Sequence, residues 1–341
     1  TTYQWHPFPD GGACIAAADG GWFYVSNSEN PPPVDVAFPP PLDATTQAVY
    51  SQLGGVGAIR FAPDGTIVDA FRLLSGTRSN CSGGVTPWGT WLSCEEFEVG
   101  IDNGATYRGG QVYECDPAAK TAVVRPALGS FPHEMAAVDD ARHQLYLSED
   151  KPDGLFYRYT ARPGVWGSSA ALDGGVLEAM SVAANGGVTW LPVPNASTPT
   201  SPLRQSVPGA TTFNGGEGVT IDGDRVYLTT KNDDRVWVHD IAAQTMSVLY
   251  DAAEHPAPPL NGVDNIIVSK AHDLYVAEDG GNMEVNIITS DLVVAPVLRL
   301  SGPEQGFDNG TPIPTVSEVS GISFSPDGNR LYLVSSRAFG F

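Results

Sequence analysis

Short runs of β-branched, aromatic and aliphatic residues alternate along the chain with clusters of Gly, Asp, Asn and Pro. Runs of this kind predict strands bounded by turns. They are Trp22–Ser26, Gln111–Glu114, Gln144–Ser148, Gly154–Tyr159, Arg225–Thr230, Arg235–His239, Leu274–Ala277 and Arg330–Ser335. Helical periodicity is nearly absent, and helical candidates such as Leu177–Ala184 are short and lie beside glycines.

A repeat runs through these strands. Each copy is a short apolar strand, a turn rich in Asp, Gly or Asn, and a second apolar strand that ends in polar or charged residues. Copies start at Glu134, Glu217, Asp264 and Glu318, a tighter one follows Gly83, and Cys14–Glu29 is a sixth. Two further strands follow most pairs, for example Arg235–Asp240 with Met246–Tyr250. Four strands per repeat make a propeller blade. The expected fold is therefore all-β, a six-bladed β-propeller with irregular loop insertions, forming one domain over residues 1–341. Because the chain ends on an inner pair, strands from the N-terminus are expected to complete the last blade. The proline-rich stretch over 30–45 reads as an extended loop, and 192–212 as a surface loop inside one blade.

Blade topology selects candidate chemistry. The innermost strand begins on one face of the disc and the second strand returns to it. Residues before the first strand and after the second therefore share the channel mouth. The first set holds Glu134, Glu217, Asp264 and Glu318. The second holds Glu29, Glu95, Glu96, Glu149, Asp150, Asp233, Glu278 and Asp279. Like charges brought together in a low dielectric need neutralising, and numerous hard oxygen ligands suit Ca²⁺. Cys81, just before the second blade, would add affinity for a softer metal. The competing reading makes these acids turn residues and solvated caps. His133 fits either a ligand or acid/base role or a structural one.

Composition narrows the partners. A net charge of −21, from 39 acidic and 18 basic residues, opposes nucleic acid and anionic membranes and favours divalent cations. No apolar run is long enough for a membrane span. The chain begins at Thr1 rather than Met and no leader follows, so a leader or tag is expected to have been removed; the expected location is exported, periplasmic or extracellular, with the leader not present in this chain. The four cysteines, Cys14, Cys81, Cys94 and Cys115, form no CxxC pair. Disulfides are possible in such a protein, and Cys94 and Cys115, which flank consecutive strands, are one candidate pair. No Walker loop or GxSxG elbow is present.

The run Asn80-Cys-Ser-Gly-Gly-Val-Thr-Pro-Trp-Gly-Thr-Trp-Leu-Ser-Cys-Glu-Glu closely resembles the PhoX family of alkaline phosphatases. Weaker agreement continues through Pro132-His-Glu, Gly216-Glu-Gly, Val263-Asp-Asn and Ser325–Gly328. The resemblance implies an exported bacterial β-propeller that hydrolyses phosphate esters at an oxygen-bridged cluster of iron and calcium. It implies that Cys81 and Glu96 ligate iron (Fe³⁺), that Glu134 and Glu217 belong to the cluster, and that Glu29, Asp264 and Glu318 are further calcium (Ca²⁺) or cluster ligands. Two departures stand out. The chain is shorter than the well-studied members, and Gly215 stands where they carry an Arg that would clamp phosphate. Lys231 or Arg337 would then supply positive charge, beside Glu217, in the catalytic set.

The leading expectation is a metal-dependent phosphoric ester hydrolase acting on a small-molecule ester, as a monomer. One alternative keeps the metals and makes the substrate a lactone or phosphotriester, by fold-level analogy. The other is a non-catalytic propeller that binds metal or a partner.

Overall fold

A computed structural model describes residues 3, 5–6, 8–30, 54–97, 109–280, 282–301, 307–308, 311–312 and 317–336. The proline-rich stretch lies almost wholly outside these residues, and so does Arg337. Strands dominate, with short 3-10 turns as the only helical elements among the described residues. No helix is long and apolar enough to cross a membrane.

Blade 1 holds β1 (Pro9–Ala16), β2 (Trp22–Ser28), β3 (Gly54–Phe61) and β4 (Ile67–Thr77), in that order across the sheet. Blade 2 follows with β5 (Asn80–Val85), β6 (Trp91–Glu95), β7 (Val112–Asp116) and β8 (Thr121–Val124). Blade 3 has five strands, β9 (His133–Asp139), β10 (Gln144–Glu149), β11 (Phe156–Thr160), β12 (Val176–Val182) and β13 (Val188–Pro192). Blade 4 is β14 (Gly216–Asp222), β15 (Arg225–Thr230), β16 (Arg235–Asp240) and β17 (Thr245–Asp251). Blade 5 is β18 (Val263–Val268), β19 (Leu274–Glu278), β20 (Glu284–Ile288) and β21 (Val294–Arg299). The pair β22 (Phe307–Asp308) and β23 (Thr311–Pro312) is followed by a two-stranded sheet, β24 (Val319–Phe324) and β25 (Leu331–Ser335).

The first strands touch in the cyclic order β1, β5, β9, β14, β18, β24 and back to β1, which closes the ring. Among the described residues there are thus five full blades, and the sheet β24–β25 takes the sixth place. The apolar core is divided accordingly. Ile15 and Val25 pack on Trp91 between blades 1 and 2, and Leu92 and Val112 on Phe131 between blades 2 and 3. At the closure, Val285 meets Val319 and Ile322, while Trp22 and Tyr24 pack with Tyr332 and Val334. Neighbouring inner strands run very close. A Cβ on Gly218 would lie 2.6 Å from the Asp264 carbonyl oxygen, so only glycine lets β14 approach β18 this way.

Four expectations change. The segment read as helical, Leu177–Ala184, lies mostly in β12, because it pairs antiparallel with β11 and β13 and is entered through Gly174-Gly175. The N-terminal strand β1 is the inner strand of its own blade and packs beside β24; no N-terminal strand pairs with β24 or β25 among the described residues. Residues 192–212 connect blades 3 and 4, and they bury Leu203 and Val207 in the core rather than skirting the surface. Cys94 and Cys115 do not pair. Cys94 faces the core between blades 2 and 3, and Cys115 the core between blades 1 and 2, so the sheet itself separates them. All four cysteines are free thiols.

One buried ion cluster ties blade 2 to blade 3. Glu114 on β7 is 4% exposed. It accepts from Trp88 Nε1 at 2.6 Å, Thr90 Oγ1 at 2.8 Å and Ser169 Oγ at 2.9 Å, and from Arg125 Nε at 2.9 Å. Burial alone would raise its pKa, but these donors outweigh burial and hold it below the usual carboxylate range. Glu114→Ala leaves the buried Arg125 with only the half-exposed Asp173 as carboxylate partner and strips Trp88, Thr90 and Ser169 of their shared acceptor, and is expected to cost about 2–3 kcal/mol of stability. Chemical denaturation checks this. A carboxylate with a depressed pKa stabilises the fold above its unfolded pKa and loses that contribution as pH falls through the folded value. The gap between wild type and variant should therefore be full near neutrality and shrink below about pH 4.

Candidate metal centre

The mouth is built by one contact repeated around the ring. The first residue after each second strand donates its N–H to the carbonyl of a residue at the entrance of the first strand. The pairs are Glu29 to Phe8, Glu96 to Ser79, Asp150 to Pro132, Lys231 to Gly215, Asp279 to Gly262 and Ser336 to Glu318, at 2.8 to 3.1 Å. Four of these acceptors, Phe8, Ser79, Gly215 and Gly262, have positive φ, between 40° and 75°. The turn into the inner strand favours a left-handed residue, which glycine supplies without strain and Phe8 and Ser79 do not.

Two residues beyond each acceptor stand Asp10, Cys81, Glu134, Glu217, Asp264 and Ser320. Here every inner strand slips register against its partner. Such bulges re-aim side chains and recur beside functional sites. The result is an inner ring of Asp10, Cys81, Glu134, Glu217, Asp264 and Ser320, and an outer one of Glu29, Glu96, Asp150, Lys231, Asp279 and Ser336. In the sixth position Ser320 replaces a carboxylate, and Glu318, two residues earlier, supplies one.

The rings converge in three places. Ligand atoms of Glu29, Cys81 and Glu96 lie within 4.8 Å of one another, as do those of Asp10, Glu29 and Glu318, and those of Glu134, Glu217 and Asp264. All seven residues expected to hold metal are thus brought together, from five blades and the sixth sheet. Glu29 belongs to two of the groups and joins them. The Cys81 thiol meets Asp10 Oδ2 at 2.9 Å, and the Ser320 hydroxyl lies between Asp10 and Asn265. Lys231 reaches Asp150 Oδ2 at 2.7 Å and Glu217 Oε1 at 2.6 Å.

Asp10 is the functional candidate that sequence reading missed, because Pro9-Asp-Gly-Gly reads as a turn. Its signal was spacing. The inner-ring residues precede their outer-ring partners by 14 to 19 residues in blades 1 to 5, and Asp10 stands in that relation to Glu29. Several candidates in the second set are structural instead. Glu95, Glu149 and Glu278 are each one residue before an outer-ring position, so strand alternation turns them into the blade. Glu95 accepts from the Arg78 and Gln111 amides, Glu149 from the Leu155 amide, Tyr157 and Arg204, and Glu278 from the Asn261 and Glu284 amides and Asn286. Asp233 accepts from Thr230 and Arg235. His133 also points away from the mouth. Its ring stacks on Phe131 and its Nε2 lies 3.3 Å from the Gly129 carbonyl oxygen, while burial pushes its pKa down to about 3 and keeps it neutral.

The electrostatics call for cations. Glu134 is fully buried and neither of its carboxylate oxygens has a hydrogen-bond partner. Burial first, then the charges of Glu217, Asp264, Glu96 and Asp10, push its pKa far up. Burial and neighbouring acids likewise raise Asp264, Glu318 and Glu96, and Cys81 through burial and Asp10. Glu217 is pushed up to about 8, burial outweighing Lys231. Without cations burial and mutual repulsion favour the protonated forms of these groups, and an unpartnered buried carboxyl such as that of Glu134 costs stability. A bound cation removes both costs, so the donor set fits metal ions. Cys81 with two carboxylates suits a transition metal, and the two all-oxygen groups suit a hard cation such as Ca²⁺.

Comparison with known proteins gives the family and the fold. The family model for alkaline phosphatase PhoX matches residues 54–253, a span that contains Cys81, Glu96, Glu134, Glu217 and Lys231. Among solved structures, PhoX from Pseudomonas fluorescens in complex with vanadate, a transition state analogue, has 18% identity and a TM-score of 0.75, covering 98% of this chain and 84% of that one. That likeness establishes the propeller fold. A gluconolactonase from Xanthomonas campestris, XC5397, has 14% identity and a TM-score of 0.47, covering 98% of this chain and 86% of that one. The calcium-binding protein regucalcin from Agrobacterium tumefaciens has 11% identity and a TM-score of 0.43, covering 98% of this chain and 84% of that one. Both lie too far away to carry an argument. No curated protein sequence matches the chain.

Glu134→Gln separates the cost of the site from its use. In metal-free protein the variant should match wild type to within about 1 kcal/mol, since a neutral amide replaces a buried carboxyl that burial and neighbouring acids already hold in its protonated form. With metal supplied, wild type should become the more stable of the two and the metal content per chain of the variant should fall. Thermal melts with and without chelator, paired with elemental analysis, check both halves.

Proposed function

This chain belongs to the PhoX alkaline phosphatase family, and on that premise we propose that it hydrolyses phosphate esters at metal ions held in the mouth of its propeller. Family membership makes it a phosphatase-type hydrolase on a propeller fold. The proposal adds the centre that does the chemistry. The observation that carries it is the convergence of Cys81 with Glu29 and Glu96, three ligand atoms within 4.8 Å contributed by two blades.

On this reading Glu29, Cys81 and Glu96 hold iron, while Asp10, Glu29 and Glu318, and Glu134, Glu217 and Asp264, hold calcium. Bound there, the cations supply Lewis acidity toward the phosphoryl oxygens and lower the pKa of water. The chain's own residues do the rest. The bulged inner strands fix the carboxylates in place, so their geometry need not be assembled when substrate arrives. Asn27 braces the thiol side by donating to the Cys81 and Ser82 carbonyls at 3.2 and 2.7 Å. Asn265 Nδ2 donates to Asp264 Oδ1 at 3.1 Å and orients it. Glu217 is shared between the all-oxygen group and Lys231, which sets positive charge beside the incoming anionic ester. Arg337 is a further candidate for that charge. The same reading puts the enzyme outside the cytoplasm, which fractionation of cells of the native host would check.

The test is turnover of an aryl phosphate monoester by metal-replete protein across roughly pH 7–10, since metal-associated water ionises near 7. Wild type should be active. Cys81→Ala and Glu96→Gln should each lose on the order of 100-fold or more, because even outer-shell partners of a metal are worth about 10- to 100-fold. Absence of monoester turnover in fully loaded protein, with activity on lactones or phosphotriesters, would transfer the centre to those substrates.

A further inference from the structure

Five of the six outer-ring positions carry a carboxylate or a serine, and the remaining one carries an amine. Glu29, Glu96, Asp150 and Asp279 occupy the position in blades 1, 2, 3 and 5, Ser336 follows β25, and blade 4 has Lys231. The backbone contact that places them is the same, so the difference lies in the side chain alone. The Lys231 ammonium sits 2.7 Å from Asp150 Oδ2 and 2.6 Å from Glu217 Oε1. These carboxylates come from neighbouring blades, and their side chains are 10% and 3% exposed. Asp150 is in turn hydrogen-bonded to Glu96, a member of the group around Cys81.

The lysine stem is held as well. It passes over Gly215, where an added Cβ would meet Lys231 Cγ at 3.1 Å and Asn232 Nδ2 at 2.6 Å. Gly215 also has a φ of 75°, which other residues reach only with strain. Lys231 thus lies over the backbone from which a side chain at 215 would have to project. The ammonium has a fixed place between two buried acids, which is what a ligand pair offers to a metal ion.

We propose that the Lys231 ammonium is a resident cation of the mouth, standing where a divalent ion would otherwise bind between Asp150 and Glu217. Blade 4 then brings its own positive charge, and the exchangeable ions are confined to the groups around Cys81, Asp10 and Glu134. A lysine carries one charge on a tether and accepts no lone pair. It therefore neutralises this corner without polarising substrate as a metal would, and it makes the corner independent of calcium supply. The inference takes its significance from the metal centre proposed above, but the two fail separately.

Lys231→Met keeps the length of the side chain and removes the charge. Full-length wild type, Lys231→Met, Lys231→Arg and the double variant Lys231→Met/Asp150→Asn would be saturated with calcium, desalted and analysed for metal per chain. Their melting temperatures would be followed against calcium. Lys231→Met should hold one divalent ion more than wild type and show an added calcium dependence of its melting temperature. Lys231→Arg and the double variant should return to the wild-type count. Equal counts in wild type and Lys231→Met would overturn the inference. So would failure of Lys231→Met to fold in excess calcium where the double variant folds, since a metal ion would then be unable to replace the ammonium. A wild type devoid of metal would instead sink the metal centre, whatever the variant binds.

Discussion

The site depends on the hydrogen bond that ties the end of each second strand to the entrance of the first. Six such contacts fix twelve residues at one end of the channel, although the partners come from every part of the chain. The bulge just inside each contact then decides which side chains face the axis. Neither feature is chemical in itself. Together they turn a repetitive fold into two concentric rings whose members can be varied blade by blade, with Cys81 in one place, Ser320 in another and Lys231 in a third.

The consequence is a concentration of negative charge that the protein cannot hold alone. Water does not reach Glu134, and its neighbours Glu217 and Asp264 are acids as well. A protein interior tolerates this where cations are part of the design. On the proposals made above, blade 4 uses one solution, a lysine from the chain itself, and the remaining groups use the other, bound metal ions. The acids that face into the blades behave in the opposite way. Glu95, Glu149 and Glu278 are saturated with amide and side-chain donors and serve the fold.

Much of this was legible in the sequence because a propeller repeats. Strand runs and turn residues gave the blades, and topology alone drew Glu134, Glu217, Asp264 and Glu318 to one mouth. The resemblance around Asn80–Glu96 then singled out Cys81 and Glu96 as a pair. What the sequence withheld has physical causes. In the pairs Glu95-Glu96, Glu149-Asp150 and Glu278-Asp279, both residues are acidic, and only strand register decides which faces the channel. Asp10 hides in a motif that also makes turns. The candidate disulfide between Cys94 and Cys115 ignored that they lie on opposite faces of one sheet. Gly215 reads as a lost side chain until the backbone shows a left-handed turn and the Lys231 stem lying across it.

The central claim is that Cys81 is a metal ligand, and it is tested most directly by the anomalous scattering of crystals of metal-replete protein measured on either side of the iron absorption edge. The account predicts an iron peak within bonding distance of Cys81 Sγ, with Glu29 and Glu96 completing its protein ligands. A mouth that holds calcium alone, with the Cys81 thiol still paired to Asp10, would contradict it.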